Sequence, residues 1–144
     1  MTRQRAQLDV HLLLRRGEEV LLGMRQNTGW RDGYWHVPAG HGEDGEPATA
    51  ALIREAAEEV GIEIDPIDVR FVHLVHHRTD TARLATFFEV TRWRGAPVNA
   101  EPDKCAGWQW FPRHALPGPM IEYTLQAITS YLEGEPYSEL GWQD

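Results

Sequence analysis

The stretch from Gly40 to Ile62 reads GHGEDGEPATAALIREAAEEVGI, a polar loop that runs into a helix-like sequence. Pro47 stands at a position that the first turn of a helix accepts, because its missing N–H would have no partner there. The following residues, ATAALIREAAEEV, are mostly good helix formers, and Gly61 provides a stop signal. The sequence therefore predicts a loop followed directly by one helix.

Three carboxylates stand close together in this helix. Glu55, Glu58 and Glu59 have the spacing i, i+3 and i+4, which places them on one helix face. Like charges at this spacing repel by about 0.2–0.5 kcal/mol per pair, and a divalent cation between them would relieve the repulsion. The cluster contains no His or Cys, which argues against zinc and favours Mg²⁺ or Mn²⁺. The alternative is a solvated helix face that Arg54 and water screen.

The spacing of the residues from Gly40 to Ile62 resembles the motif of a known family. Counting from Gly40, Glu46 follows at the sixth place, and after seven more residues the sequence reads REAAEEVGI from Arg54 onward. This pattern resembles the Nudix box, G-x5-E-x7-R-E-U-x-E-E-x-G-U, in which U is a bulky apolar residue. Only Ala56 departs, because it is small where Leu or Ile is commoner. The preceding GYWHVPAG also resembles the family's GxWxxPGG, with Ala39 in place of one glycine.

The resemblance to Nudix hydrolases implies a role for each matched residue. Gly40 would give its backbone carbonyl to a divalent cation, Mg²⁺ or Mn²⁺, and Glu58 and Glu59 would give carboxylates. Glu55 would bind the cation or take a proton from water. Arg54 would hold the glutamates in position by charge-assisted hydrogen bonds.

Two further glutamates fit the family pattern. Glu46 would anchor the loop to the helix, and Glu101, in NAEPDKCAGWQWF, stands where many MutT-like members carry another metal-binding glutamate. The general base is left open between Glu55, Glu101 and a residue of the HHRTD segment. The implied reaction is attack by cation-activated water on one phosphorus of a P–O–P linkage. It requires no enzyme nucleophile, so we interpret Cys105 as a packing residue.

Several basic residues are candidates for substrate contacts. Arg25 ends the second predicted strand and could clamp a phosphate, and His41 directly follows the box glycine. Arg78 follows His76 and His77 at a strand end, and because adjacent residues of a strand face opposite ways, at most one of these histidines should face the site. The alternative for all of them is an ordinary surface cation.

One tryptophan is a candidate for stacking on a nucleobase. Trp30 lies in the polar loop QNTGWRDG, which we predict to be mobile, and has less reason than the others to be buried. Core packing is the better interpretation for the tryptophans near the predicted strands, Trp35, Trp108 and Trp110.

The remaining pattern predicts an α/β/α sandwich with a central mixed sheet. A helix over 121–132 would pack through Ile121, Leu125, Ile128 and Leu132. The tail over 133–144 is predicted to lie on the surface without regular structure. The predicted strands or extended segments span residues 8–14, 19–24, 34–38, 69–76, 84–93 and 107–111.

Composition limits the possible partners. The chain has 144 residues, 42% of them hydrophobic, which suits a single domain over 1–144. A net charge of −8 argues against binding nucleic-acid polymers or membrane surfaces. One cysteine allows no intrachain disulfide, and the first residues lack a signal-peptide core, so we expect a cytoplasmic protein. The oligomeric state is left open between a monomer and a homodimer, which the exposed-looking tail could support.

The substrate class is narrowed mainly by missing family markers. ADP-ribose pyrophosphatases tend to carry a Pro about fifteen residues beyond the box, where this chain has His76, His77 and Arg78, and dinucleoside polyphosphate hydrolases tend to have a Tyr near Thr79. The segment EPDKCAGWQWF followed by ALP resembles MutT-like enzymes instead. We therefore predict hydrolysis of a nucleoside triphosphate or modified (d)NTP. An ADP-ribose or nucleotide-sugar pyrophosphatase, a silent nucleotide-sensing domain and, remotely, an isoprenoid diphosphate isomerase are the alternatives.

Overall fold

The computed structural model describes residues 1–143. Within that range the chain forms eight strands, two α-helices and one short 3-10 helix, Pro66–Asp68. Their order is β1 (Gln7–Arg16), β2 (Glu19–Arg25), β3 (Trp35–His36), β4 (Ala39–His41), α1 (Ala48–Val60), β5 (Arg70–Arg78), β6 (Ala82–Val90), β7 (Cys105–Pro112), α2 (Glu122–Leu132) and β8 (Tyr137–Leu140). Asp144, the last residue of the predicted tail, lies outside the described residues.

The strands form one mixed sheet. Its main order is β3-β2-β1-β6-β5-β8, with β4 paired to β1 and β7 paired to β2. The β1–β6 and β5–β8 pairs are parallel, whereas β1–β2, β5–β6 and β2–β7 are antiparallel. α1 and α2 pack into two separate apolar clusters on opposite faces of this sheet. The predicted α/β/α sandwich with a mixed sheet is confirmed.

β1 contributes to both clusters, because successive side chains of a strand point to opposite faces. Its residues that pack with α1 on one face are Val10, Leu12 and Leu14. Leu13 packs with α2 on the other face. Asp9 and His11, which share that second face by alternation, are buried polar residues. On the α2 face, β1 therefore changes from an apolar core residue at Leu13 to buried polar residues at His11 and Asp9.

α1 starts and ends at residues with special backbone geometry. Pro47 is extended, with φ −63° and ψ 151°, and its carbonyl accepts the first helical hydrogen bond from the Ala51 N–H at 3.0 Å. It is therefore the N-cap, one position earlier than the predicted first-turn place. Gly61 ends the helix as predicted, with φ 71°, and its N–H donates to the Ala57 carbonyl at 3.1 Å.

Gly61→Ala is expected to lower the free energy of unfolding by about 1–2 kcal/mol, because Ala disfavours a positive φ. An added Cβ would also lie 2.7 Å from Val98 Cγ2. Denaturant unfolding measures the change. Gly17→Ala is the matched control, since Gly17 has φ +60° with no atom within 4 Å of an added Cβ. Equal costs for the two variants would show that Val98 contributes nothing.

Three sequence-based expectations about helix and strand positions were wrong. The tail forms β8, a regular strand that pairs with the edge of β5. A segment of four residues is too short to predict a strand from its sequence alone. Leu125 is 43% exposed, because Ile121 is the helix N-cap and the buried face of α2 follows Thr124, Ala127 and Ile128 instead. β6 ends at Val90, before the predicted end of that strand at residue 93.

Both α-helices are short. α1 has 13 residues and α2 has 11. Across residues 1–143, no helix combines the length and the apolar content that a membrane span needs.

Candidate active site

Two adjoining cavities meet at β4. The acidic cavity, of about 470 Å³, is lined by Glu55, Glu59 and Glu101 together with residues of β2 and β7. The α2 cavity, of about 700 Å³, opens on the α2 face of the sheet and is lined by Asp9, Arg83 and Tyr123 among others. The residues shared by the two cavities are Arg25, His36, Ala39, Gly40 and His41. β4 is thus the common wall.

The acidic cavity holds carboxylates that ionise with difficulty. Glu59 Oε2 is buried and has no hydrogen-bond partner within residues 1–143. Burial, followed by the charges of Glu55 and Glu101, raises the pKa of Glu59 to about 9. Burial also raises the pKa of Glu55, against the opposing effect of Arg54. The carboxylates of Glu55, Glu59 and Glu101 therefore line one cavity, and Arg54 compensates the charge of Glu55.

Arg54 bridges the motif loop and α1. Its Nε and Nη2 donate to the two carboxylate oxygens of Glu46, at 2.9 and 3.0 Å. Its Nη1 donates to Glu55 Oε1 at 2.8 Å and to Glu58 Oε2 at 3.3 Å, and Nη2 also donates to the His41 carbonyl at 3.1 Å. Glu58 is the most exposed of these acids, with 56% of its side chain accessible, and it lies outside the acidic cavity's lining.

Gly40 lies directly against α1. A Cβ at this position would fall on the Glu55 side chain, closest to its carboxyl carbon. Only glycine therefore lets the β4 backbone approach the Glu55 carboxylate. This contact brings the Gly40 peptide group next to the acidic side chains.

The acidic cavity fits a hard divalent cation in its donor chemistry. Its candidate ligands are carboxylate and carbonyl oxygens, which Mg²⁺ and Mn²⁺ prefer, and the buried Glu59 oxygen lacks any other partner in the described chain. As the side chains stand, no three His, Cys, Asp or Glu residues in positions 1–143 form a complete ligand set. Arg54 holds the Glu55 and Glu58 carboxylates, and like charges keep the others apart. The residues fit the cation, but their side chains would have to converge.

The α2 cavity has a charged network that links its two ends. Asp9 is 6% exposed and accepts from His41 Nδ1 at 2.6 Å. Arg83 Nη1 donates to both oxygens of Asp9, at 3.2 and 3.0 Å. His41 and Arg83 are therefore fixed by one buried carboxylate, and His41 Nε2 has no partner in the described chain.

Neutral polar groups form the floor of the α2 cavity. Burial lowers the pKa of His11 to about 4 and places the pKa of His36 well below its usual value. Tyr123 Oη lies 2.7 Å from His11 Nε2, and its ring stacks on His77 with centroids 4.4 Å apart. Burial lowers the pKa of His77, whose Nε2 is buried without a partner among the described residues. A ligand on this floor would meet uncharged hydrogen-bonding groups.

The loop over 26–34 lies at the mouth of the α2 cavity. Arg25 Nε donates to the Trp30 carbonyl at 3.0 Å, and the guanidinium lies 5.1 Å from the Trp30 ring centroid. Trp30 is 48% exposed. Asp32 accepts from the Thr28 and Gly29 N–H groups and braces the loop from within. The predicted mobility of this loop stays a prediction.

Arg78 and the adjacent histidines divide between the two sheet faces. His77 faces the α2 cavity, whereas the His76 ring packs on Trp142 with centroids 4.5 Å apart. Arg78 contributes to the cavity lining, but its guanidinium lies over Trp142, 5.9 Å from the ring centroid. The sequence indicated that at most one histidine of the pair faces the site, and that residue is His77.

The structure also places residues that sequence reasoning did not select. Asp9, Arg83 and Tyr123 come from β1, β6 and α2 and meet only in the folded chain. One signal for Asp9 was available, because a charged residue in LDVHLLL interrupts an otherwise apolar strand. No comparable signal marks Arg83 or Tyr123.

Cys105 and the tryptophans near the acidic cavity are partly buried side chains. Cys105 is half-buried, and burial raises the pKa of its thiol. Trp108 Nε1 donates to the Glu59 carbonyl at 3.1 Å and packs on the α1 cluster. Trp35 and Trp110 also pack partly buried against the two cores.

Comparison with known proteins gives one family match and several relatives. A family model described as NUDIX domain matches residues 5–130. The NAD-capped RNA hydrolase NudC of Pseudomonas entomophila (strain L48) is 31% identical over 106 residues, which are 74% of this chain but 36% of that protein. The chain thus spans well under two thirds of that relative's length. The 8-oxo-dGTP diphosphatase of Proteus vulgaris is 27% identical over 94 residues, covering 65% of this chain and 83% of that protein.

Solved structures resemble the fold over most of its length. A MutT NUDIX hydrolase from Burkholderia pseudomallei has a TM-score of 0.79 and 25% identity, covering 88% of this chain and 98% of that one. The ORF135 protein of E. coli has a TM-score of 0.78 and 21% identity, with 90% and 91% covered. The second likeness concerns the fold alone.

Proposed function

Because the chain belongs to the NUDIX domain family, we propose that it is a hydrolase and that it cleaves a diphosphate linkage in a nucleoside triphosphate or modified (d)NTP. The observation that carries this proposal is the pair of cavities that share β4. One cavity is lined by carboxylates suited to a divalent cation, and the other has hydrogen-bonding walls suited to an organic group. A diphosphate lying across β4 would reach both.

The proposed cation is Mg²⁺ or Mn²⁺. When bound, it would neutralise charge on the diphosphate oxygens and activate water for attack on phosphorus. Two observations support this assignment: Glu59 Oε2 is buried without a hydrogen-bond partner among residues 1–143, and Gly40 lies close against Glu55. The residues proposed to hold the cation are the Gly40 carbonyl and the carboxylates of Glu55, Glu58, Glu59 and Glu101.

The chain's own groups would then position the reactants. Arg54 would keep Glu55 and Glu58 oriented through its Nη1 contacts while its other nitrogens hold Glu46. Because Arg54 bonds only Oε1 of Glu55, we propose that Oε2 accepts a proton from the attacking water. Glu101 is the alternative proton acceptor, since it lines the same cavity.

The residues around β4 would bind the substrate. We propose that Arg25 and His41, which line both cavities, contact the diphosphate oxygens. Trp30 would stack on the organic group, because its ring is half exposed at the mouth of the α2 cavity. Arg78 would act at the rim only, because its guanidinium is directed over Trp142.

A second candidate is a pyrophosphatase for dinucleotides, ADP-ribose or nucleotide sugars. The NudC relative acts, by its name, on NAD-capped RNA and shares 31% identity over 74% of this chain. An α2 cavity of about 700 Å³ also falls within the usual range of small-molecule sites. The 8-oxo-dGTP diphosphatase relative supports the triphosphate instead.

A panel of substrates tests the proposed function. Purified protein is incubated with Mg²⁺ and with dNTPs, NTPs, 8-oxo-dGTP, ADP-ribose, NADH and a UDP-sugar, and ³¹P NMR identifies the products. Release of a nucleoside monophosphate with pyrophosphate supports the first candidate, whereas a monophosphate with a sugar phosphate or second nucleotide supports the other. EDTA should abolish either reaction. Nucleotide binding without any cleavage would sink the enzyme proposal and favour a silent sensing domain.

Other partners stay predictions. The net charge of −8 underlies the expectation that neither a nucleic-acid polymer nor a membrane is a partner. A monomeric or homodimeric state and a cytoplasmic location likewise rest on sequence only.

A further inference from the structure

The C-terminal strand lies beyond the range of the family match. The matched range ends at residue 130, inside α2, whereas β8 follows at Tyr137–Leu140. β8 nevertheless extends the main sheet by pairing in parallel with β5. In this register Leu140 stands opposite His77, and Leu140 lines the α2 cavity beside it. A segment outside the family pattern therefore contributes a wall to the proposed substrate site.

β8 is fixed to the body of the protein by side chains from both neighbours. His73 Nδ1 donates to the Glu135 carbonyl at 2.7 Å, which leaves Nε2 to accept from the Ser138 hydroxyl at 2.8 Å. Gln126 Nε2, from α2, donates to the Glu139 carbonyl at 3.0 Å. These hydrogen bonds hold β8 against both β5 and α2.

The turn after β8 depends on a close backbone approach. Gly141 has φ +84°, and a Cβ on it would fall on the Arg78 carbonyl oxygen. Trp142 Nε1 then donates to the His76 carbonyl at 2.8 Å. Any side chain at Gly141 would push the end of β8 away from β5 and move Leu140.

We propose that β8 is a specificity-determining wall of the α2 cavity and that Leu140 contacts a flat heteroaromatic ring of the substrate. This inference rests on the proposed function, because it assigns the ring end of the same substrate. Leu140 is the apolar residue that β8 contributes to the cavity lining, beside a floor of His11, His36, His77 and Tyr123. The floor would orient the ring by hydrogen bonds, and Leu140 would pack on its face.

Leu140 variants test the contact directly. In Leu140→Ala, KM for the cleaved nucleotide should rise about tenfold with kcat within about twofold, because the lost packing affects binding rather than cleavage. Leu140→Met keeps the volume of the side chain, so its KM should stay within about twofold of the wild-type KM. Tyr137→Ala is the matched control, since Tyr137 lies on the same strand, is 47% exposed and does not line the cavity. Thermal melts confirm that each variant is folded.

Equilibrium binding separates this inference from the proposed hydrolysis. AMP, GMP and ribose 5-phosphate are titrated into cation-free protein by calorimetry. Leu140→Ala and Gly141→Ala should both weaken the binding of AMP or GMP about tenfold. Neither variant should change the affinity for ribose 5-phosphate, which has no heteroaromatic ring. Unchanged AMP and GMP affinities in both variants would overturn the wall, whatever the wild type cleaves. An equal loss of affinity for ribose 5-phosphate would overturn the ring contact. A wild type that binds no mononucleotide would overturn both this inference and the assignment of the α2 cavity to the substrate.

Discussion

Glu59→Gln is expected to lower kcat about a thousandfold while leaving the fold intact. Loss of several kcal/mol of transition-state stabilisation corresponds to that factor, and Glu59 provides the proposed cation site with a buried carboxylate oxygen, Oε2. Steady-state kinetics with saturating Mg²⁺ measures the effect on the best substrate of the panel. Glu63→Gln is the matched control, because Glu63 follows the same helix and its side chain is 75% exposed. A Glu59→Gln enzyme with wild-type kcat would exclude Glu59 from the reaction.

The same variant should change how stability depends on pH. Burial raises the pKa of Glu59 to about 9 from its ordinary value of 4.5, so at intermediate pH the carboxyl ionises more readily in the unfolded chain than in the folded chain. The cation-free wild type should therefore lose stability as pH rises from 4.5 towards 9. Glu59→Gln should lack this loss. The measurement is the difference in Tm between the variant and the wild type in EDTA. This difference, in favour of the variant, should be larger at pH 8 than at pH 5, and Mg²⁺ should reduce it.

Arg54→Gln is expected to lower kcat about a hundredfold, because small misplacements of catalytic groups can cost that much. Arg54 contacts Glu46, Glu55 and Glu58 through Nε, Nη1 and Nη2, and glutamine has neither the charge nor enough donors to replace it. Lysine should also fail, since a point charge does not reproduce the planar guanidinium. Kinetics should show the fall in kcat with a smaller change in KM.

Denaturant unfolding separates the positioning role from general charge effects. Arg54→Gln leaves the Glu46 and Glu55 carboxylates, each with 16% side-chain exposure, without their arginine, so stability should fall clearly. Arg94→Gln is the control, because the Arg94–Glu63 pair is 66% and 75% exposed and such pairs contribute little. If both variants lose equal stability and activity, Arg54 has no special place in the site.

The acidic half of the site was largely visible in the sequence. Helix spacing places Glu55 and Glu59 together, and the close contact between Gly40 and Glu55 follows from a loop of fixed length before the helix. Glu101 required the family resemblance, since nothing local in EPDKC indicates that its loop folds against α1. The sequence did not reveal that Glu58 faces solvent, because helical spacing alone does not fix how α1 is rotated against β4.

The α2 cavity was mostly hidden, because it is built from contacts distant in the chain. Asp9 and Arg83 are 74 positions apart and meet through the parallel pairing of β1 and β6. Leu140 reaches the cavity through a strand of four residues, too short to show alternation. Such pairings depend on sheet order, and local patterns carry little information about it.

The last turn of α1 has a consequence for the free protein. This turn carries Glu58 and Glu59 and has no basic residue. The carboxyl end of a helix bears a partial negative charge from its aligned peptide dipoles, so both acids add to a potential that is already unfavourable. A divalent cation bound there would neutralise the acids and the helix end together. Folding of this segment and loading of the site would then be thermodynamically linked, and the protein's stability would report the free cation concentration around it.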